Sequence, residues 1–233
     1  MNSDIIFTED GSATLYSSEY DDHYHSVKGA HSESMHIFIN SGLRKVMENK
    51  QQINILEIGF GTGLNALCTL EASLEFNLKI NYIGIEPKPV ELDLIARLNY
   101  PSLFKNYDFS EQFLQMHQLP KNKPHYISDN FVLNVIKAQV QEVGFKESSF
   151  DLIYFDAFKP STHTDTWTPQ VFSKLFNALS NHGILLTYSS SSSVRKNMES
   201  SGFSVDKIPG PAGKHQITRA IKEIPVTESL NLF

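Results

Sequence analysis

The chain has 233 residues, of which 40% are hydrophobic and 20% are charged. This composition is typical of a folded globular protein and argues against wholesale disorder. The length allows one large domain or two small ones. The 20 basic and 26 acidic residues give a net charge of −6, which excludes a uniformly basic nucleic-acid coat but not a local basic patch. Cys68 is the single cysteine, so no intrachain disulfide is possible, and we expect a cytoplasmic protein without membrane span or signal peptide.

Charge is unevenly spread along the chain. Residues 1–36 hold seven acidic side chains and one lysine, whereas residues 195–222 hold six basic and two acidic side chains. Each cluster has an ordinary interpretation as a solvated surface. For the C-terminal cluster, the alternative interpretation is a surface that meets an anion.

Short apolar runs alternate with amphipathic segments, which predicts alternating strands and helices. The predicted strands lie at 53–60, 80–86, 130–138, 150–155 and 183–188. The predicted helices lie at 62–75, 90–98, 109–118, 169–179 and 193–200, and the segments predicted to form a closing antiparallel pair lie at 203–208 and 216–221. This order predicts an α/β fold, with a parallel sheet and helices on both faces. In such sheets, ligands bind beyond the carboxyl ends of the strands.

A glycine-rich loop follows the first of these strands. Gly59, Gly61 and Gly63 are spaced as G-x-G-x-G, which is neither the dinucleotide fingerprint nor a P-loop, and glycines let a ligand approach the backbone closely. Glu86 ends the next strand, where a carboxylate can accept hydrogen bonds from ribose hydroxyls. Together with Glu57, this pattern is similar to that of class I S-adenosylmethionine (SAM) methyltransferases. The alternative is a structural strand–turn–helix with a surface acid at Glu86.

A second candidate loop follows the fourth strand and contains Asp156 and Phe158. A carboxylate at this edge can hold an acceptor amine by hydrogen bonds and help to remove its proton, so that a neutral nitrogen attacks the methyl group in line. Phe158 can stack on a planar acceptor such as a nucleobase. The alternative is that Asp156 caps the following turn and Phe158 belongs to the core.

Four segments spread over nearly the whole chain form a combined pattern. They are Y-D-D-H-Y-H-S at 20–26, E-I-G-F-G-T-G-L-N at 57–65, F-D-A-F-K-P at 155–160 and G-P-A-G-K at 210–214. Together they resemble the methyltransferase domain of the MnmC-type tRNA modification enzymes. That family methylates the aminomethyl group of 5-aminomethyluridine, or of its 2-thio form, at the wobble position of tRNA. The resemblance implies SAM as cofactor, tRNA as partner, and a Rossmann-like class I methyltransferase fold. That fold has a mostly parallel seven-stranded sheet with a C-terminal antiparallel strand pair.

The resemblance and the charge pattern assign roles to individual residues. Asp156 and Phe158 are the expected catalytic residues, which hold the amine and pack on the uracil. The expected cofactor contacts are Tyr24, Ser26, Glu33, Glu57, Gly59, Phe60, Gly61, Thr62, Gly63, Asn65, Glu86, Gln139 and Asp156. The expected RNA contacts of the basic C-terminal cluster are Arg195, Lys196, Lys214 and Arg219.

The sequence departs from the family pattern at four positions. Gln139 stands where the family commonly has an acid that meets the adenine amino group, and an amide oxygen there can still accept a hydrogen bond. Thr162 stands where a lysine is common. His215 and Gln216 replace the arginine and glutamate of the closing motif, so these departures leave the exact acceptor open.

The expected organisation is an N-terminal segment at 1–50 that packs over the cofactor site, a methyltransferase domain at 51–222 and a tail at 223–233. In many bacteria the family domain is fused to a flavin oxidase, for which 233 residues leave no room. We therefore expect a standalone methyltransferase that receives aminomethyluridine from upstream enzymes. The N-terminal histidines lack ligand spacing and an accompanying cysteine, so no metal site is expected. The rival functions are a small-molecule N-methyltransferase or aminopropyltransferase-like enzyme, and a non-catalytic module that binds SAM or tRNA.

Overall fold

A computed structural model describes residues 4–223, which form a central eight-stranded sheet and a small three-stranded sheet. The small sheet consists of β1 (Ile5–Phe7), β2 (Ala13–Ser17) and β3 (Asp22–His23). The strands of the central sheet are β4 (Gln52–Ile58), β5 (Lys79–Ile85), β6 (His125–Ser128), β7 (Phe131–Ile136), β8 (Phe150–Phe155), β9 (Leu179–Thr187), β10 (Ser204–Pro209) and β11 (Gln216–Ile221). Their spatial order is β10-β11-β9-β8-β4-β5-β7-β6.

Neighbouring strands β9, β8, β4, β5 and β7 run parallel, so their carboxyl ends meet at one edge of the sheet. Strands β10 and β11 form the predicted antiparallel pair, and β11 joins β9. The predicted α/β fold and its mostly parallel sheet are confirmed. The expected number of seven strands is wrong, because β6 adds an antiparallel edge strand beside β7. Four residues of mixed polarity, with Tyr126 largely exposed, give β6 no clear hydropathy signal.

Helices cover both faces of the sheet. In chain order they are α1 (Ala30–Ser34), a π-helical stretch (Met35–Leu43), α2 (Arg44–Val46), α3 (Leu64–Glu75), α4 (Leu92–Ile95), α5 (Ser110–Gln118), α6 (Pro169–Ala178) and α7 (Ser192–Ser200). Short 3₁₀ turns lie at Met47–Asn49, Tyr100–Leu103 and Thr164–Thr166. One core joins the sheet to the π-helical stretch, α3 and α5, and a second core joins the opposite face to α6 and α7. Consecutive residues of β4, Ile55 and Leu56, point into these two different cores, as strand geometry requires.

Most predicted helices are confirmed with small changes at their ends. The helix predicted at 90–98 is the exception, since only one turn, α4, forms there. A 3₁₀ turn containing Pro101 follows, and proline lacks the N–H that would continue an α-helix.

The N-terminal region is held together by the Asp10 carboxylate. This carboxylate accepts hydrogen bonds from the backbone N–H groups of Ser12, at 3.0 Å, and Ser32, at 2.8 Å, and so joins the loop after β1 to α1. The predicted tail at 223–233 lies outside the described residues except for Glu223. Within residues 4–223 there is no helix with the length and apolarity needed to cross a membrane.

Candidate active site

Loops at the carboxyl edge of the central sheet enclose a cavity of about 390 Å³. Its walls come from the loops after β4, β5, β7 and β8, and from residues 20–27 of the N-terminal region. This volume is in the range of small-molecule and cofactor sites. The position agrees with the rule that ligands of parallel sheets bind beyond the strand carboxyl ends.

The glycine loop after β4 forms one wall of the cavity. Gly59 and Gly61 have φ angles of 90° and 51°, which glycine adopts without steric strain. A Cβ at Gly59 would lie 2.6 Å from the carbonyl oxygen of Asp156, and a Cβ at Gly61 would lie 3.0 Å from the Tyr24 ring. The backbone therefore approaches its neighbours at distances that leave little room for side chains.

Glu86 follows β5 and turns its carboxylate towards the glycine loop. Oε2 accepts a hydrogen bond from the N–H of Gly61 at 2.8 Å, and Oε1 accepts one from the N–H of Lys88 at 2.9 Å. Burial raises the pKa of Glu86 to about 7, although both backbone hydrogen bonds oppose the rise. Each carboxylate oxygen can accept a second hydrogen bond, so the group can still receive a ribose hydroxyl.

A chain of buried hydrogen bonds runs beneath the cavity to Asp156. The hydroxyl of Tyr82 donates to Glu57 Oε2 at 2.9 Å. Asn65 Nδ2 then donates to both Glu57 Oε1 and Asp156 Oδ2, each at 2.8 Å. Burial raises the pKa of Glu57 well above its ordinary value. Glu57 thus fixes the amide of Asn65, and Asn65 orients the carboxylate of Asp156.

Asp156 lies half-buried on the cavity wall directly after β8. Burial raises its pKa to about 7, and the negative charge of Glu33 adds to the rise, whereas Asn65 and Lys214 oppose it. Lys214 forms an ion pair with Glu33, and its ammonium lies 4.5 Å from the centre of the Tyr188 ring. Carboxyl groups gathered around a partly buried space attract a cationic ligand.

Aromatic rings close the outer end of the cavity. Tyr20 stacks on Phe158 with ring centres 4.2 Å apart and planes 22° apart. Tyr24 meets the same Phe158 ring edge-on at 5.0 Å. Phe158 therefore lines the cavity and belongs to neither of the two hydrophobic cores.

Most of the predicted cofactor residues share this cavity. The predicted cofactor residues that line it are Tyr24, Ser26, Glu33, Gly59, Phe60, Gly61, Thr62, Asn65, Glu86, Gln139 and Asp156. Glu57 and Gly63 do not line it. Glu57 is fully buried beneath the wall, and Gly63 precedes α3 where a Cβ would meet the ring of His117 at 3.0 Å. Their roles as cofactor contacts stay predictions.

Other cavity residues were not predicted. They include Tyr20, Lys88, Lys159, His163 and Tyr188. Tyr20 and Lys159 belong to the quoted motifs, so the signal for them was present in the sequence. Tyr188 ends one predicted strand and Lys88 follows another by two residues, but no pattern distinguishes them from ordinary residues at strand ends.

The basic C-terminal cluster does not form one free patch. Lys214 lines the cavity, Arg219 pairs with Asp206 at 3.1 Å, and Lys222 is buried and donates to the carbonyl oxygen of Leu179 at 2.8 Å. Because of these contacts, the cluster exposes less positive charge than its six basic residues indicate.

Two further basic residues of the cluster lie on α7. Lys196 is exposed, and Arg195 is half-buried with its guanidinium donating to the Ser192 hydroxyl at 3.3 Å. Contact of any of these residues with an anion stays a prediction.

Comparisons with known proteins agree with this geometry. Residues 104–223 match the family described as S-adenosyl-L-methionine-dependent methyltransferase. The crystal structure of MNMC2 from Aquifex aeolicus is similar to the chain, with 30% sequence identity, a TM-score of 0.78, and coverage of 97% of this chain and 72% of that one. The chain belongs to this methyltransferase family. The resemblance inferred from the sequence motifs is thereby confirmed.

Curated relatives of the methyltransferase are much longer than it is. The tRNA 5-methylaminomethyl-2-thiouridine biosynthesis bifunctional protein MnmC of Cupriavidus metallidurans is 32% identical over 226 residues, which cover 92% of this chain and 33% of that protein. The chain thus spans about a third of the length of the curated relatives it matches. Spermidine synthase from Thermotoga maritima, at 15% identity and a TM-score of 0.56, shares the fold alone.

The cavity of the methyltransferase fits SAM, the cofactor of the family. At Gly59 and Gly61 the cavity wall is formed by backbone atoms without side chains. The carboxyl groups of Glu86 and Asp156 give the cavity an acidic lining that suits a positively charged cofactor. Within residues 4–223, no group of three or more His, Cys, Asp or Glu side chains is arranged to hold a metal ion.

Proposed function

We propose that this methyltransferase transfers the methyl group of SAM to the aminomethyl nitrogen of 5-aminomethyluridine, thiolated or not, at the wobble position of tRNA. The observation that carries the proposal is the Asp156 carboxyl group, whose pKa is raised to about 7, in the same cavity as the Phe158 ring. An amine-holding group and a ring for a planar base are what such an acceptor requires. The names of the MnmC relatives support the same substrate class.

Four parts of the cavity would hold the cofactor. The backbone at Gly59 and Gly61 would lie against its amino-acid portion, Glu86 would accept hydrogen bonds from the ribose hydroxyls, and Gln139 would meet the adenine. Tyr24, Ser26 and Glu33 would close over it from the N-terminal region. SAM supplies a methyl group already activated by the positive sulfonium, so the protein needs to provide position and proton control.

Asp156 provides the proton control. An aliphatic amine arrives mainly as an ammonium ion at neutral pH, and its nitrogen has no free lone pair. A carboxylate with a pKa near 7 can bind this cation, accept one proton and leave a neutral nitrogen that attacks in line. Asn65 keeps the carboxylate oriented during this transfer. The methylated amine is again a cation, and Asp156 returns its proton to water.

The RNA reaches the cavity from the solvent side. Arg195, Lys196, Lys214 and Arg219 are the proposed phosphate contacts, of which Lys214 and Arg219 must exchange a carboxylate partner for a phosphate. The substrate requires a preceding reaction that exposes the aminomethyl group, so upstream enzymes in the cytoplasm must prepare the tRNA.

Transfer of isotope-labelled methyl groups from SAM tests the proposal. The acceptors are tRNA from a strain that lacks this protein and, separately, free polyamines. We expect label in tRNA only, and Asp156→Asn lowers the rate by about 10²- to 10⁴-fold, the usual contribution of a general base. Asp165→Asn is the matched control, because Asp165 lies exposed on the same loop outside the cavity. Label only in polyamines would favour the small-molecule rival, and binding of SAM without transfer would favour the non-catalytic one.

A further inference from the structure

Residues 19–22, here called the strap, follow β2 along the rim of the cavity and end at the first residue of β3. Each residue of the strap contacts the rim or the strand before it. Glu19 forms an ion pair with Lys88, which follows β5. Lys159, which follows β8, donates to the carbonyl oxygen of Asp21 at 2.8 Å and lies 3.8 Å from the Asp22 carboxylate. Two rim lysines on opposite sides of the cavity are thus both neutralised by the strap.

The remaining strap residue, Tyr20, covers an aromatic surface. Its ring stacks on Phe158 at 4.2 Å and meets His163 at 5.4 Å. The ammonium of Lys88 lies 5.8 Å from the centre of the Tyr20 ring. A separation of 4.2 Å leaves no space for a base between Tyr20 and Phe158, so this face of Phe158 is already occupied.

We propose that the strap occupies the position of the substrate nucleotide and that RNA displaces it. Tyr20 takes the position of the uracil on Phe158, and the carboxylates of Glu19 and Asp22 take the positions of phosphates on Lys88 and Lys159. Lys88 and Lys159 are therefore phosphate-binding residues of the RNA site. The proposal rests on the proposed function, because it takes a nucleotide as the acceptor.

The contacts of the strap are of a kind that RNA can replace. The Glu19–Lys88 pair is exposed, and exposed pairs are weak, whereas the half-buried Asp22–Lys159 pair is 3.8 Å long. A phosphate offers each lysine an equivalent charge-assisted hydrogen bond and releases counterions from the RNA. A nucleobase stacks on an aromatic ring about as well as a tyrosine ring does. Displacement therefore exchanges similar interactions and keeps the rim lysines paired while no RNA is bound.

Steady-state methylation of aminomethyl-tRNA at low salt tests the proposal with two opposite changes. Removing the strap charges, as Glu19→Gln with Asp22→Asn, is expected to lower KM for tRNA by about 3- to 10-fold, since two weak pairs no longer compete with the RNA phosphates. Removing the rim charges, as Lys88→Ala or Lys159→Ala, is expected to raise KM for tRNA and to reduce the salt slope of binding by about 1 for each lysine. Glu9→Gln is the matched control, because Glu9 forms an exposed ion pair with Lys28 outside the cavity, and its KM should not change.

An increase in KM for tRNA in the strap variants would overturn the proposal. If the strap instead clamps bound RNA, the strap variants raise KM for tRNA. Unchanged KM in the lysine variants would also refute it, because the lysines would then not meet phosphates. These results are distinguishable from failure of the proposed function, in which the unaltered protein transfers no methyl group to tRNA and both proposals fall. Calorimetric binding of SAM confirms in each case that the variant is folded.

Discussion

Asp156→Asn is expected to stabilise the ligand-free protein, and to do so more strongly as the pH rises from about 4 to about 7. The cause is the carboxyl group in the cavity wall, whose pKa rises from 3.8 to about 7 on folding. A group with a raised folded pKa contributes full stability below its unfolded pKa, and this contribution is lost as the pH climbs to the folded value. Asparagine carries no proton to lose, so it avoids this loss.

The pKa values set the size of the effect. The shift is about 3 pK units, and each unit corresponds to about 1.4 kcal/mol, so ionised Asp156 costs the empty fold about 4 kcal/mol above pH 7. Asp156 is half-buried and open to the cavity, and screening by water there reduces the expected gain to about 2–4 kcal/mol. The oxygen of an asparagine amide can still accept the hydrogen bond from Asn65. The substitution therefore removes a charge and little else.

Urea unfolding between pH 5 and pH 8 measures this difference. The gain should grow by at most about 1.4 kcal/mol per pH unit and should be complete by about pH 7. Asp165→Asn, which removes an exposed carboxyl group from the same loop, should show no such growth. Saturating SAM should reduce the gain, because its positive charges offset the cost of the ionised carboxylate. Equal stability of the two proteins at pH 8, or a larger gain at pH 5 than at pH 8, would refute the reasoning.

Three further predictions follow from the site. Glu86→Gln should weaken SAM binding by about tenfold through loss of a charged acceptor, whereas Glu57→Gln should change it by less than about twofold, and calorimetry separates the two. Gly59→Ala should lower the free energy of unfolding by about 2–4 kcal/mol, because its Cβ would meet a carbonyl oxygen at 2.6 Å in a left-handed conformation. Gly144→Ala, with no atom within 4 Å of its Cβ, should change it by less than about 1 kcal/mol in the same urea titration. Lys196→Ala should reduce the salt slope of tRNA binding by about 1 in fluorescence anisotropy, and an unchanged slope would remove Lys196 from the RNA surface.

Elements formed by consecutive residues could be predicted from the sequence. The apolar run of β4, the glycine loop and α3 are consecutive in sequence, so their order alone places Gly59 and Gly61 beside a ligand site. The rule on strand ends likewise placed Glu86 and Asp156 at one edge, because parallel strands end together.

Contacts between residues far apart in the chain could not be predicted from the sequence. The ion pair of Glu33 with Lys214 joins residues 181 positions apart, and residue counts assigned Lys214 to a free basic surface. The strands of the small sheet have only two to five residues, which is too short for a hydropathy period to mark them. The sequence motif contains Glu57 but does not show that its carboxylate lies fully buried beneath the cavity, where it accepts a hydrogen bond from Asn65.

Nucleoside analysis of tRNA is the most direct test of the central claim, that the cavity methylates an aminomethyl group held by Asp156. Purified protein and SAM are incubated with tRNA that carries 5-aminomethyluridine or its 2-thio form, and the wobble nucleoside is then identified by mass spectrometry. We expect conversion to the N-methylated nucleoside, with at least about 10²-fold slower conversion in Asp156→Asn and the normal rate in Asp165→Asn. An unchanged wobble nucleoside with the unaltered protein, or full conversion with Asp156→Asn, would contradict the account.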